Sequence, residues 1–258
     1  MESSVTQAHY QWSAEDLSDH FAQVVANAEL RTDPSPHLFL SNVFPGEFFD
    51  ALKANLPANA ASYKGWAIGQ AAGKTHYQQR KQIYIHNRPM LEKIDFGSDT
   101  IKDFWLKLQE WFMSEELQPI MLSRFEDELK ERFGGSMLPQ DGEVVTNGMI
   151  NFHEPGYYIG PHPDTKDRIV TAIFYIAEEG APQELGTHFY RPKDPTYTSA
   201  KHGDFDDFEL VGTAPYKPNS AVLFLRTPKS YHGVEPISEE QHSQSDRYVL
   251  QYMLIHKY

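Results

Sequence analysis

The change of texture at Gly134-Gly135 is the feature that most constrains how this chain folds. Ahead of it, apolar residues recur at helical spacing. From Ser13 to Leu30 they are Leu17, Phe21, Val24, Val25 and Ala28, with Ser13 as N-cap and Asp16 three residues on. His37 to Leu40 reads as a short strand, Phe44-Pro45-Gly46 opens a second helix ending near Leu56-Pro57, and the Ala/Gly-rich stretch from Ala58 to Gly73 reads as a loop. Gln82 to His86 alternates like a strand, and Asp99 to Phe133 fits two consecutive helices broken near Gln118-Pro119. Behind the glycine pair come β-branched and aromatic runs separated by Gly, Pro and Asp: Val144 to Phe152, Arg168 to Ile176, Gly186 to Tyr190, Ala221 to Leu225 and Tyr248 to His256. Helices first and strands second predict a mainly β (α+β) chain, a barrel or jelly roll with the N-terminal helices packed on its outer face.

Composition narrows the function. The 258 residues suit one domain, divided into a helical part over 1–135 and a β core over 136–258. With 36 acids against 23 bases the net charge is −13, which opposes binding to a phosphate backbone and predicts no nucleic-acid partner. There is no cysteine, so any metal must sit on His, Asp or Glu. Met1 to Asp19 is polar and acidic, and no run approaches the roughly 18 apolar residues of a membrane span, so a cytoplasmic, membrane-free protein is expected. Oligomeric state is not legible.

One constellation carries chemistry. His162 and Asp164 stand two apart on an extended segment and so project to the same side, where both can grip one ion. His232, beyond the run ending at Leu225, supplies a third ligand. Two imidazoles and one carboxylate leave coordination positions open, as iron(II) needs if it is to take a bidentate keto acid and then O₂. Arg247 follows 15 residues after His232, and its forked guanidinium suits the far carboxylate of such a cosubstrate.

From about Asn147 to the C-terminus, the order of H-x-D, the strand from Arg168, a Gly-Thr turn, the strand to Leu225, Ser230 to Pro236 and a later Arg resembles the double-stranded β-helix of the iron(II)/2-oxoglutarate-dependent dioxygenases, in particular the prolyl-4-hydroxylase-like branch. The resemblance implies a double-stranded β-helix (jelly roll), with Fe(II), 2-oxoglutarate and O₂ as cofactor and cosubstrates. It implies iron ligation by His162, Asp164 and His232, a salt link from Arg247 to the 2-oxoglutarate C5 carboxylate, and oxidation of a substrate C–H bond. There are departures. The prolyl-hydroxylase branch usually anchors with Lys, where this chain has Arg247, and Val249 stands where some relatives place a Ser that shares the carboxylate. Thr171 is therefore the first candidate for second carboxylate partner and His153, where relatives often carry Tyr, the next. Asp164 is intact, which favours hydroxylation over halogenation.

Arg226 and Tyr231 flank the distal histidine and are candidate substrate contacts, as is His188 in the Gly-Thr turn. The segment Arg191 to Pro218 lacks a long periodic run and reads as a lid closing over substrate. The leading expectation is hydroxylation of an unactivated C–H of a small amino-acid-like or natural-product substrate, with the acidic balance favouring a cation. The alternatives are a prolyl or other peptidyl hydroxylase, and a non-catalytic β-barrel that binds a metal or small ligand.

Overall fold

The structure, a computed structural model, describes residues 12–57, 78–199 and 201–258, together with the backbone of 67 and 68. The loop expected over Ala58 to Gly73 lies outside the described residues apart from those two positions, as does the start of the acidic N-terminal stretch.

Helix α1 (Ala14–Asn27) starts where its cap dictates: the Ser13 hydroxyl accepts from the Asp16 amide at 3.0 Å, and the Asp16 carboxylate accepts from the Ser13 amide at 2.9 Å. Each satisfies a helix-end group that has no partner within the helix. After β1 (His37–Ser41) come α2 (Gly46–Ala54), β2 (Ala67–Ile68), β3 (Arg80–Tyr84) and α3 (Arg88–Leu91). The next stretch holds three helices where two were expected: α4 (Asp99–Phe112), α5 (Leu117–Leu122) and α6 (Glu126–Arg132). The chain breaks before Gln118-Pro119, not at it. Pro119 sits in the first turn of α5, where the missing amide hydrogen has no intrahelical acceptor to lose. Gly134 and Gly135 end α6 with φ of +65° and +98°, angles a side chain disfavours.

The strands that follow are β4 (Glu143–His153), β5 (Ile159–His162), β6 (Arg168–Tyr175), β7 (Thr187–Pro192), β8 (Phe208–Ala214), β9 (Ser220–Leu225), β10 (His232–Val234) and β11 (Arg247–Lys257), with α7 (Glu239–Gln244) between the last two. They form two antiparallel sheets, a seven-stranded one in the order β1-β9-β6-β11-β4-β3-β2 and a four-stranded one in the order β5-β10-β7-β8. The segment expected to be a lid is in part β8, which pairs with β7 along the edge of the smaller sheet. Only Phe208 and Ala214 at its ends are buried, so it shows little of the hydrophobic run by which a buried strand is recognised. Ahead of β8, the Gly203 amide of that segment donates to the Pro161 carbonyl of β5 at 2.8 Å.

Helices and strands share one apolar cluster, which runs from Leu17 to Leu254. At its centre the Phe174 ring of β6 lies within 5.5 to 6.2 Å of Phe21 from α1, Phe44 ahead of α2, and Trp111 and Phe112 from α4. Burying that face of the larger sheet leaves its other face toward the smaller sheet.

Candidate metal centre and adjoining cavity

Antiparallel pairing sets His232 of β10 opposite His162 of β5, with ring centroids 4.6 Å apart. The strands meet this closely because Gly233 lies between them, and Gly160 gives the same room to the segment at Gly203. A Cβ on Gly233 would stand 2.5 Å from the Ile159 carbonyl oxygen, and one on Gly160 would stand 2.4 Å from that of Gly203. Asp164, just past β5, completes the group, and one ligand atom from each of the three lies within 4.8 Å of the others.

The hydrogen bonds say which atoms face the common point. His162 Nδ1 lies 2.9 Å from the Gly160 carbonyl and His232 Nδ1 lies 3.0 Å from the Ser230 carbonyl. A carbonyl can only accept, so each Nδ1 carries its hydrogen, and in the neutral ring the lone pair is on Nε2. Burial, then the neighbouring His232 and His202, pushes His162 down to about 3, so that ring is neutral at ordinary pH. Asp164 is pulled both ways. Burial opposes its ionisation, but Arg168, the two histidines and the Thr171 hydroxyl outweigh burial and hold it down to about 2. Two lone-pair nitrogens and one ionised carboxylate fit a divalent metal and leave coordination positions for other ligands.

A cavity of about 300 Å³ adjoins this group and takes walls from both sheets. Arg247 borders it at 2% exposure. Its Nε donates to the Leu185 carbonyl at 2.5 Å and its Nη1 to His153 Nδ1 at 2.6 Å. His153 is therefore neutral, with burial and then the charges of Arg247 and Arg80 holding it well below the usual imidazole range. The phenols of Tyr157, Tyr175 and Tyr216 act on the guanidinium, and among the described residues no ion pair satisfies it. A buried cation without an anion demands one.

Other expected site residues are placed differently. Thr171, the first candidate for a carboxylate partner, donates to Asp164 Oδ2 at 2.7 Å and is not on the cavity wall. Arg226 donates to the backbone carbonyl of Asp164 at 3.2 Å, bracing that turn from outside. Tyr231 is fully buried beside Phe208. His188 bonds to Thr213 and Glu184 on the far side of β7, because strand alternation turns Thr187 to the cavity and His188 away. None of these three lines the cavity. Residues the sequence reading missed do: Arg168, and the amides Gln82, Asn151 and Gln251. Polar residues an even number of positions apart, and so on one face of otherwise apolar strands, were the available signal: Asn151 and His153 in β4, Arg247 and Gln251 in β11. His202, also missed, stacks on His162 with centroids 4.3 Å apart.

No protein-family model matches this sequence, and no curated protein matches it. Among solved structures, the chain is similar to a prolyl hydroxylase from Trichoplax adhaerens in complex with a hypoxia inducible factor oxygen degradation domain peptide fragment, with 14% identity over 96% of this chain and 94% of that one and a TM-score of 0.52. A Pseudomonas putida prolyl-4-hydroxylase aligns at 15% identity over 93% of this chain and all of its own, with a TM-score of 0.46. HygX from Streptomyces hygroscopicus, with nickel and 2-oxoglutarate bound, aligns at 9% identity over 88% of this chain and 85% of its own, with a TM-score of 0.48. The first likeness shows that the chain has the fold of a prolyl hydroxylase, and at 14% identity it speaks for the fold alone.

Proposed function

We propose that this protein is an iron(II)/2-oxoglutarate-dependent dioxygenase that hydroxylates a C–H bond of a small polar molecule. The observation that carries the reading is one cavity bounded by two kinds of group: a donor set of two histidines and an ionised carboxylate, and a buried Arg247 without an anion.

In this reading His162 and His232, through Nε2, and Asp164, through its carboxylate, hold iron(II). Bound iron with 2-oxoglutarate supplies dioxygen activation: the keto acid is decarboxylated to succinate and CO₂, taking one oxygen atom, and the other enters the substrate as a hydroxyl group. The chain's own groups position the reactants. Arg247 receives the far carboxylate of 2-oxoglutarate, and neutral His153 fixes the guanidinium by accepting from Nη1. Gly160 and Ser230 carbonyls orient the two imidazoles, and Thr171 holds the Asp164 carboxylate.

Succinate release and O₂ uptake by iron(II)-loaded protein with 2-oxoglutarate test the proposal. Binding of both without any turnover across a substrate screen would leave a ligand-binding module instead. A peptidyl substrate is the second reading, favoured by the fold shared with a prolyl hydroxylase bound to a peptide fragment. The cavity of about 300 Å³, at the small end of ligand pockets, favours the small molecule. Among the described residues no helix is long and apolar enough to cross a membrane. The net charge of −13 keeps nucleic acid an unfavoured partner.

A further inference from the structure

The cavity wall contradicts the charge of the whole molecule. Over the full chain acids outnumber bases and the net charge is −13, yet the charged residues bordering the cavity are Arg80, Arg168 and Arg247 against Asp164 alone. Under the proposed function, on which this inference rests, most of these charges are answered. A divalent metal balances Asp164 together with the near carboxylate of the cosubstrate, and Arg247 balances the far carboxylate. Arg168 is left over. The balance stays positive even when Arg80 is left out of the count.

Arg168 is not spent on structure. Its Nε is shielded from solvent without a hydrogen-bond partner, and its Nη1 makes only a 3.5 Å approach to Thr171 Oγ1. It acts on Asp164 through space, but no carboxylate lies within 4.0 Å of it among the described residues. Once a metal takes the Asp164 charge, the guanidinium faces the cavity with its fork open.

A second feature lies on the same wall. Gln82 and Asn151 are direct partners across β3 and β4, at 3% and 1% exposure, and the Asn151 amide nitrogen lies 3.5 Å from Gln251 Oε1 on β11. The oxygens Gln82 Oε1 and Asn151 Oδ1 are shielded and unpartnered. Two buried amides with unmet bonding capacity are costly against an apolar wall, and each offers both acceptor and donors to a ligand.

We propose that the substrate is a small oxyanion-bearing molecule, most simply a carboxylic acid with hydrogen-bonding groups along its chain. Its anionic group is received by Arg168 and its polar groups by Gln82, Asn151 and Gln251. The acidic exterior then gives no guide to the substrate, because a guanidinium inside a shielded cavity acts at short range where exterior charges are screened.

Calorimetric titration of Mn(II)-loaded protein tests this in two stages. 2-Oxoglutarate is titrated first, and its failure to bind defeats the proposed function rather than this inference. The complex is then titrated with N-acetylated L-amino acids, their methyl esters, the corresponding phosphate monoesters of N-acetylated serine and threonine amides, and cationic amino-acid amides. At least one acid is expected to bind about tenfold or more tighter than its ester, the scale of one charge-assisted contact. Tighter binding by the phosphate monoesters identifies phosphate as the oxyanion. Arg168→Gln is expected to erase the difference between acid and ester, a selectivity loss that a merely structural arginine does not produce. Esters or cationic amides binding as tightly as the anions, no anion binding while 2-oxoglutarate does, or an undiminished preference in Arg168→Gln overturns the proposal.

Discussion

Thr171 holds Asp164: the hydroxyl on β6 donates to the carboxylate at 2.7 Å, tying the ligand loop after β5 to the larger sheet. Thr171→Val keeps the shape and removes the donor. Metal affinity is expected to fall about 10- to 100-fold, the usual scale for losing a partner that orients a ligand, and Thr171→Ser to restore most of it. Mn(II) titration reads both variants. Unchanged affinity in Thr171→Val would assign the hydroxyl no part in holding the carboxylate.

Arg247 and the metal ligands are separable. In Arg247→Ala the far end of 2-oxoglutarate loses its cation, and affinity for the cosubstrate is expected to drop about 30-fold or more, as for one partner removed from a buried charge pair. Arg247→Lys, which keeps the charge without the fork, is expected to fall between wild type and Ala. Mn(II) affinity should hold in both. Calorimetry with each ligand separately distinguishes this from general damage at the site.

The buried histidines set an acid limit on stability. His37, His153 and His188 are each held below the ordinary value of 6.5, burial being the largest cause in every case. In the folded chain they take up a proton only at lower pH than their unfolded counterparts, which do so around 6.5. The unfolded state therefore binds more protons there, and stability falls as pH drops below 6.5, while above it the contribution is fully present. Fully buried His153 alone contributes a slope of about 1.4 kcal/mol per pH unit inside that window. Urea midpoints at pH 7.5 and 5.0 are expected to differ clearly. Equal midpoints would show these imidazoles protonating freely in the folded state.

Phe174 couples the helices to the strands. Its ring meets Phe21, Phe44, Trp111 and Phe112, so Phe174→Ala opens a cavity between α1, α4 and β6. The expected loss is about 3–5 kcal/mol, with Phe174→Leu losing less. Chemical unfolding measures it, and a loss under about 1 kcal/mol would mean the site collapses to fill the gap.

The amino-acid sequence by itself determined which groups stand ready for chemistry and roughly where strands run. His162 and Asp164 share a face because extended chain has a period of two, and the apolar runs at β6, β9 and β11 mark strands buried on both faces. The Ser13 cap was legible too, since a capping box is local. Short or edge elements escaped: β5 and β10 are buried but have only four and three residues, and β8 is an edge strand that is mostly not buried, so none of them presents a long apolar run. Only the tertiary structure decided what each polar side chain meets. Thr171 turned to Asp164, His188 turned away from the cavity, and Arg168 and the amides Gln82, Asn151 and Gln251 came together from four strands. Partnership across a sheet depends on register between segments far apart in the chain, 69 positions for Gln82 and Asn151 and 100 for Asn151 and Gln251, and no local pattern encodes that pairing.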